Sequence, residues 1–200
     1  ASASHECSVT GAIGDLPMTQ IWIVRPGEAA ASWEKDPDPG LSELGQSQAE
    51  QTANALMDIV PMGAQLISSP LRRAQETAAA FADKRGDGVR VDPRCAEVRS
   101  PVPLSGRKAW LQEFMRQDWS EQSDDLWEWR RDILLGLKEA TGPTVVFCHF
   151  LVINAVIAEI ENKPEVLQVY PANASFHELK LEGGELSLVQ LGQQMETRIN

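Results

Sequence analysis

The chain has 200 residues, of which 42% are hydrophobic and 24% charged, a balance that suits one soluble domain with a sizeable core. Its formal charge of −11, from 18 basic and 29 acidic side chains, excludes nucleic acid and an anionic membrane as the main partner. The three cysteines (Cys7, Cys95 and Cys148) show no paired spacing, and no stretch approaches 18 uninterrupted apolar residues; a cytoplasmic protein without disulfides or a membrane span is expected.

Residues 1–17 are small, polar and aperiodic, and they lack the basic start and apolar stretch of a secretory signal. Residues 1–19 are read as an N-terminal tail, either a native extension or an artificial leader, and 20–200 as a single domain. His5 and Cys7 in this tail are not read as a metal site. Ile21 to Val24 is a short apolar run of β-type residues and predicts a buried strand. Residues 28–40 are loop-like, with Asp36-Pro37-Asp38-Pro39-Gly40 as a turn cluster. Ser42 is a suitable N-cap for a helix with Ala49, Ala53, Leu56, Met57 and Val60 on its inner face, ended by Pro61 and Gly63. Gln65 to Ser68 predicts a second strand. Ser69-Pro70 opens the next helix, whose buried stripe is Leu71, Ala74, Ala78 and Phe81.

Val89 to Val91 reads as a brief strand, and Pro93 to Ser105 as a loop that holds Glu97 and Arg99. Residues 107–140 form two helices broken near Ser120–Ser123, with Trp110, Trp119, Trp127 and Trp129 as packing residues. Thr144 to Cys148 is a near-continuous apolar strand of the kind buried in parallel sheets, and Cys148 reads as a buried thiol. His149 follows it, and the helix from Phe150 to Ile160 is apolar on nearly every side. Ser175–Lys180 and Glu185–Leu191 alternate around Gly183-Gly184, a hairpin signature. The order predicts an α/β fold: a three-layer α/β/α sandwich with an open, mostly parallel sheet and a C-terminal β-hairpin.

Open α/β sheets bind ligands beyond the carboxyl ends of their strands. The first strand ends in Arg25, Pro26 and Gly27. The second leads to Ser69 and, one turn into the next helix, Arg73. The long apolar strand ends in His149. Two guanidiniums and an imidazole gathered there would bind a phosphate, for which the planar donor fork of arginine is suited. Taken singly, each has an ordinary reading: a loop arginine, a structural histidine, a helix start.

Arg25-Pro26-Gly27-Glu28 resembles the Arg-His-Gly-Glu signature of the histidine phosphatase family, which includes phosphoglycerate-mutase-like enzymes. Ser69-Pro70-Leu71-Arg72-Arg73-Ala74-Gln75-Glu76-Thr77-Ala78 is similar to that family's Ser-Pro-Leu-x-Arg-Ala-x-x-Thr-Ala block. Leu41-Ser42-Glu43-Leu44-Gly45, Cys95-Ala96-Glu97-Val98 and Val145-Val146-Phe147-Cys148-His149 resemble three further blocks, in the family's order. The resemblance implies that Arg25, Arg73, His149 and Gly27 bind a phosphoryl group and that Glu97 protonates the leaving oxygen. It implies a small phosphorylated molecule or phosphate as partner, and no metal or other cofactor.

The chain departs from the pattern at three places. Pro26 stands where the family has its nucleophilic histidine, so activity is expected to be absent or strongly impaired. Proline also fixes its own φ near about −65° and biases Arg25 away from helical angles. Ser32 replaces an asparagine of the mutase branch and Lys35 is the one base in that loop, which favours the small-phosphatase branch. Phe150 and Leu151 replace glycines common in relatives and are expected to make a bulkier pocket wall. Three functions follow: a phosphatase scaffold disabled at residue 26, as a natural pseudoenzyme or by replacement of a histidine; an enzyme of altered mechanism that uses His149 and Glu97; or an interaction module that uses the tryptophan-rich segment.

Overall fold

Ile21, Trp22, Ile23 and Val24 are each at most 1% exposed, and the strand they seed, β1, runs from Met18 to Val24. It is longer than the apolar run suggests because Met18, Thr19 and Gln20 pair with Glu182, Leu181 and Lys180 of a later strand. Met18 and Thr19, placed in the tail on sequence grounds, therefore belong to the sheet. The computed structural model describes residues 17–32 and 35–196; residues 1–16 of the expected tail, with His5 and Cys7, lie outside the described residues.

Helix α1 (Glu43–Ile59) starts where expected, with the Ser42 hydroxyl accepting the Gly45 N–H at 3.0 Å. Its buried side is Ala49, Thr52, Ala53 and Leu56. Met57, expected on this face, is exposed. Thr52 takes its place, because its hydroxyl donates to the Ala174 carbonyl at 2.6 Å and so carries a polar group inward with a partner. After β2 (Gln65–Ser68), helix α2 (Arg72–Arg85) begins later than Ser69-Pro70 suggests. The Ser69 hydroxyl accepts the Leu71 N–H at 3.1 Å, closing a side-chain turn, and the helix starts from the Leu71 carbonyl. Leu71 is therefore a half-buried cap, not part of the core stripe of Ala74, Ala78 and Phe81.

Strand β3 (Arg90–Val91) is followed by a helical turn at Pro93–Cys95, and helices α3 (Arg107–Phe114) and α4 (Asp124–Lys138) flank another at Trp119–Glu121. Here the aromatics bury one another. Trp110 stacks on Phe114 with ring centroids 5.0 Å apart, and Phe114 meets Trp119 edge-on at 5.9 Å. The Arg130 guanidinium lies 4.8 Å from the ring centres of both Trp119 and Trp127, and it pairs with Glu159 at 2.6 Å. Strand β4 (Thr144–Phe147), helix α5 (Phe150–Glu161) and the hairpin β5 (Phe176–Glu182) and β6 (Glu185–Gln190) complete the chain.

The six strands lie in the order β3-β2-β4-β1-β5-β6. The first four are parallel, and β5 runs antiparallel to β1. Side chains alternate between two cores: Trp22 and Val24 face α1 and α2, while Ile21 and Ile23 face the α3–α5 layer. This is the expected three-layer sandwich. Its register positions the site. Phe147 pairs with Val24 on one side and with Ser68 on the other, so the chains leaving β1, β2 and β4 emerge level and side by side.

One buried group makes stability depend on pH. His177 on β5 is inaccessible; Nδ1 accepts the Gly192 N–H at 2.8 Å, so the ring proton sits on Nε2 and donates to the Ser175 hydroxyl at 3.1 Å. Burial pushes this imidazole down to about 4. Its folded value lies below the unfolded value near about 6.5, so its contribution is complete above pH 6.5 and disappears as pH falls towards 4. The amount is about 3 kcal/mol. Urea unfolding between pH 7 and 4 should show this loss, and NMR titration should place the His177 ring near the lower limit. A His177 that titrates normally would contradict the assignment.

Candidate functional site

A cleft of ≈ 220 Å³ opens where β1, β2 and β4 end. Arg25, Pro26, Gly27, Arg73, Glu97 and His149 all line it, together with Phe150 and Asn173. The six positions singled out in the sequence, spread over more than a hundred residues of chain, thus share one hollow.

The main-chain N–H of Arg25 donates to the Ser175 carbonyl at 2.9 Å, just beyond the last β1–β5 pair. Its guanidinium is anchored through Nη1, 2.7 Å from the Pro171 carbonyl and 3.4 Å from Met195 Sδ, and lies 5.1 Å from the centre of the Phe150 ring. These contacts fix the plane of the fork. Burial pushes its pKa down to about 10, opposed by Glu97 and helped by Arg73. Burial also lowers Arg73, against the pull of Glu97 and Asp38.

His149 caps α5 and is 1% exposed. Its Nε2 is 2.7 Å from the Ser69 hydroxyl. That oxygen also accepts the Leu71 N–H; in the tautomer in which the Ser69 hydroxyl donates to Nε2, the ring proton sits on Nδ1. This Nδ1–H has no partner among the described residues. An unpaired buried donor costs about 1–3 kcal/mol, a cost that an oxyanion in the cleft would relieve. Burial, then Arg73 and Arg25, hold the ring well below its ordinary value, so it stays neutral.

Glu97 accepts the Val98 N–H at 3.1 Å and, through its other oxygen, the Leu151 N–H in the first turn of α5 at 3.2 Å. Burial raises its pKa against these bonds and the nearby Arg73 and Arg107. A raised carboxyl beside two arginines is suited to donating a proton. The loop is held by Trp129, whose indole N–H donates to the Ala96 carbonyl at 3.1 Å.

Two expectations are corrected. Gly27 lines the cleft, but its N–H is given to the Thr77 hydroxyl at 3.2 Å and is not free for a phosphate. Glycine is needed for a different reason: a Cβ there would lie 2.4 Å from the Gly45 carbonyl oxygen, where two backbones touch. Leu151 is not part of the pocket wall. It is buried in the core and contributes only its amide, while Phe150 alone forms the bulky wall. Pro26 fits because the β1 ladder ends before it; its carbonyl accepts the Ala174 N–H at 2.9 Å. Its side chain offers no nitrogen and no proton.

Asn173 and Arg107 were missed. Asn173 sits in a loop where Ala174 takes a positive φ of 59°, and Pro171-Ala172-Asn173 was the available turn signal. Arg107 donates to the Val98 carbonyl at 2.8 Å. With Arg99 it lines an adjoining hollow of ≈ 390 Å³ that also contains Arg73 and Glu97. With Arg25 in the neighbouring cleft, these three arginines make a local positive region in a chain of charge −11.

The ends of the parallel strands β1, β2 and β4 and the loop after β3 thus bring two arginines, a histidine and a glutamate into one cleft, where open α/β sheets bind ligands. The model of the histidine phosphatase superfamily (branch 1) matches residues 21–194, and the chain belongs to that family. It is 36% identical over 95 residues to a probable phosphoglycerate mutase, GpmB, of Erwinia tasmaniensis, covering 46% of this chain and 43% of that protein. It is 42% identical over 87 residues to the glucosyl-3-phosphoglycerate phosphatase of Mycolicibacterium vanbaalenii, covering 42% and 38%. These matches span about two-fifths of the curated relatives' length. The solved mycobacterial glucosyl-3-phosphoglycerate phosphatase in complex with VO3 shares the fold, with a TM-score of 0.63 and 23% identity over 89% of this chain and 100% of that one.

Proposed function

We propose that this is a histidine-phosphatase domain that binds a phosphomonoester and is stalled at the attacking group, a pseudoenzyme as it stands. The observation that carries this reading is the shared cleft: Arg25, Arg73, Glu97 and His149 all line it, and Pro26 occupies the place of the nucleophile. Arg25 and Arg73 hold the phosphoryl oxygens, with His149 donating from Nδ1. Glu97 carries the proton for the leaving oxygen. The step that is absent is formation of the nitrogen–phosphorus bond, which splits one hard displacement into two easier ones. Proline has no side-chain lone pair with which to form it.

The adjoining hollow favours an alcohol portion that bears a second negative charge, received by Arg99 and Arg107. The two buried, unpaired thiols, Cys95 and Cys148, support a reducing cytoplasmic setting. The altered-mechanism reading is weaker, because Nε2 of His149 is committed to the Ser69 hydroxyl. The interaction-module reading is weaker, because Trp119 is buried and Trp110, Trp127 and Trp129 are partly buried against the core.

An assay with p-nitrophenyl phosphate tests the proposal. Hydrolysis by the chain as it stands is expected barely above background. Turnover in the ordinary enzymatic range of about 1–10³ s⁻¹ would overturn the stalled-site reading.

A further inference from the structure

A cavity of ≈ 950 Å³ lies on the flank of the sheet and takes no part in the chemistry above. It arises from topology. Helices α1 and α2 pack on β1, β2 and β4, and β5 and β6 extend the same sheet face beyond them. Alternation turns Gln20 and Trp22 of β1 and Phe176 and Glu178 of β5 towards this face. Gln51 of α1 and Gln190 of β6 close the sides.

The chemistry is the reverse of the phosphate cleft. No lysine or arginine is among the described residues that line it, and its charged groups are carboxylates. That excludes an anionic ligand. The walls are rich in side-chain amides, each of which both donates and accepts. One of the ties among them, Gln20 to Glu178, is long at 3.4 Å. In the floor, the Trp22 indole is 1% exposed and its N–H has no acceptor among the described residues.

We propose that this cavity binds a neutral, polyhydroxylated ligand, a saccharide or polyol. Neighbouring hydroxyls match the donor–acceptor pairs of glutamine and the acceptor pair of Glu178. The C–H faces of such a ligand meet Phe176 and Ile59. The volume lies within the range of small-molecule sites. Asn173 lines this cavity and the phosphate cleft alike, so the two border each other. The proposal does not depend on the phosphatase reading.

The test is a ¹H–¹⁵N NMR titration of the full chain with maltose and, separately, with sorbitol, which distinguishes a ring sugar from an open polyol. At least one probe should give saturable shifts of the Trp22 indole and of the Gln51 and Gln190 side-chain amides. The double variant Gln51→Ala/Gln190→Ala removes two exposed side chains and should weaken binding by about tenfold. Orthovanadate should leave the Trp22 indole signal unmoved while shifting Gly27. No saturable shift with either probe up to about 0.1 M, far above a millimolar Kd, would overturn the proposal. So would an affinity unchanged in the double variant.

Discussion

Pro26→His is expected to raise aryl-phosphate turnover by about 10⁴–10⁶-fold, the range lost when a covalent enzyme is stripped of its nucleophile. The gain is large because every other group is in place. Arg25 is anchored by Pro171 and Phe150, the neutral His149 by Ser69, and Glu97 by two backbone amides. The new imidazole would sit beside Arg25 and Arg73, whose charges keep it deprotonated and able to attack. Glu97, raised by burial, would supply the proton to the leaving oxygen and set the alkaline limb of the pH profile. Assay of both proteins on p-nitrophenyl phosphate measures this. A gain below about tenfold would mean that something other than the attacking group holds the site back.

Arg73→Ala is expected to weaken orthovanadate binding by about 10–100-fold, since a hydrogen bond to a charged partner contributes about 1.5–3 kcal/mol. The same change moves two neighbours. Arg73 helps to hold His149 below its ordinary value, so that ring should titrate at higher pH in the variant. Arg73 also opposes the burial of Glu97, so that carboxyl should rise further. Calorimetry reads the affinity and NMR the two titrations. An arginine acting only in folding would change stability but leave the His149 titration in place. An unchanged affinity would remove Arg73 from the cradle.

The parts of the fold carried by local chemistry were legible in the sequence. Ser42 caps α1 because its hydroxyl reaches the Gly45 amide, a contact three residues away. The apolar runs at 21–24 and 144–147 became central neighbours of the sheet, and their ends carried Arg25 and His149 as expected. What escaped depends on partners distant in sequence. Met57 lost its inward place to Thr52 because Ala174, far along the chain, offers a carbonyl. The Gly27 amide looked available until Thr77 proved to hold it. Asn173 reaches the cleft because its loop is tied to the Pro26 carbonyl through Ala174. The flank cavity had no signal at all: its glutamines come from separate elements and meet only through the packing of α1 on the sheet and the pairing of β1 with β5 and of β5 with β6.

A crystal structure of the chain grown with orthovanadate would locate the oxyanion directly. The vanadate is predicted within hydrogen-bonding distance of Arg25, Arg73 and His149 Nδ1, with the Pro26 ring facing it and no covalent bond to protein. Vanadate bound elsewhere, or a cleft left empty at saturating concentration, would contradict the claim that these side chains form one oxyanion site without its nucleophile.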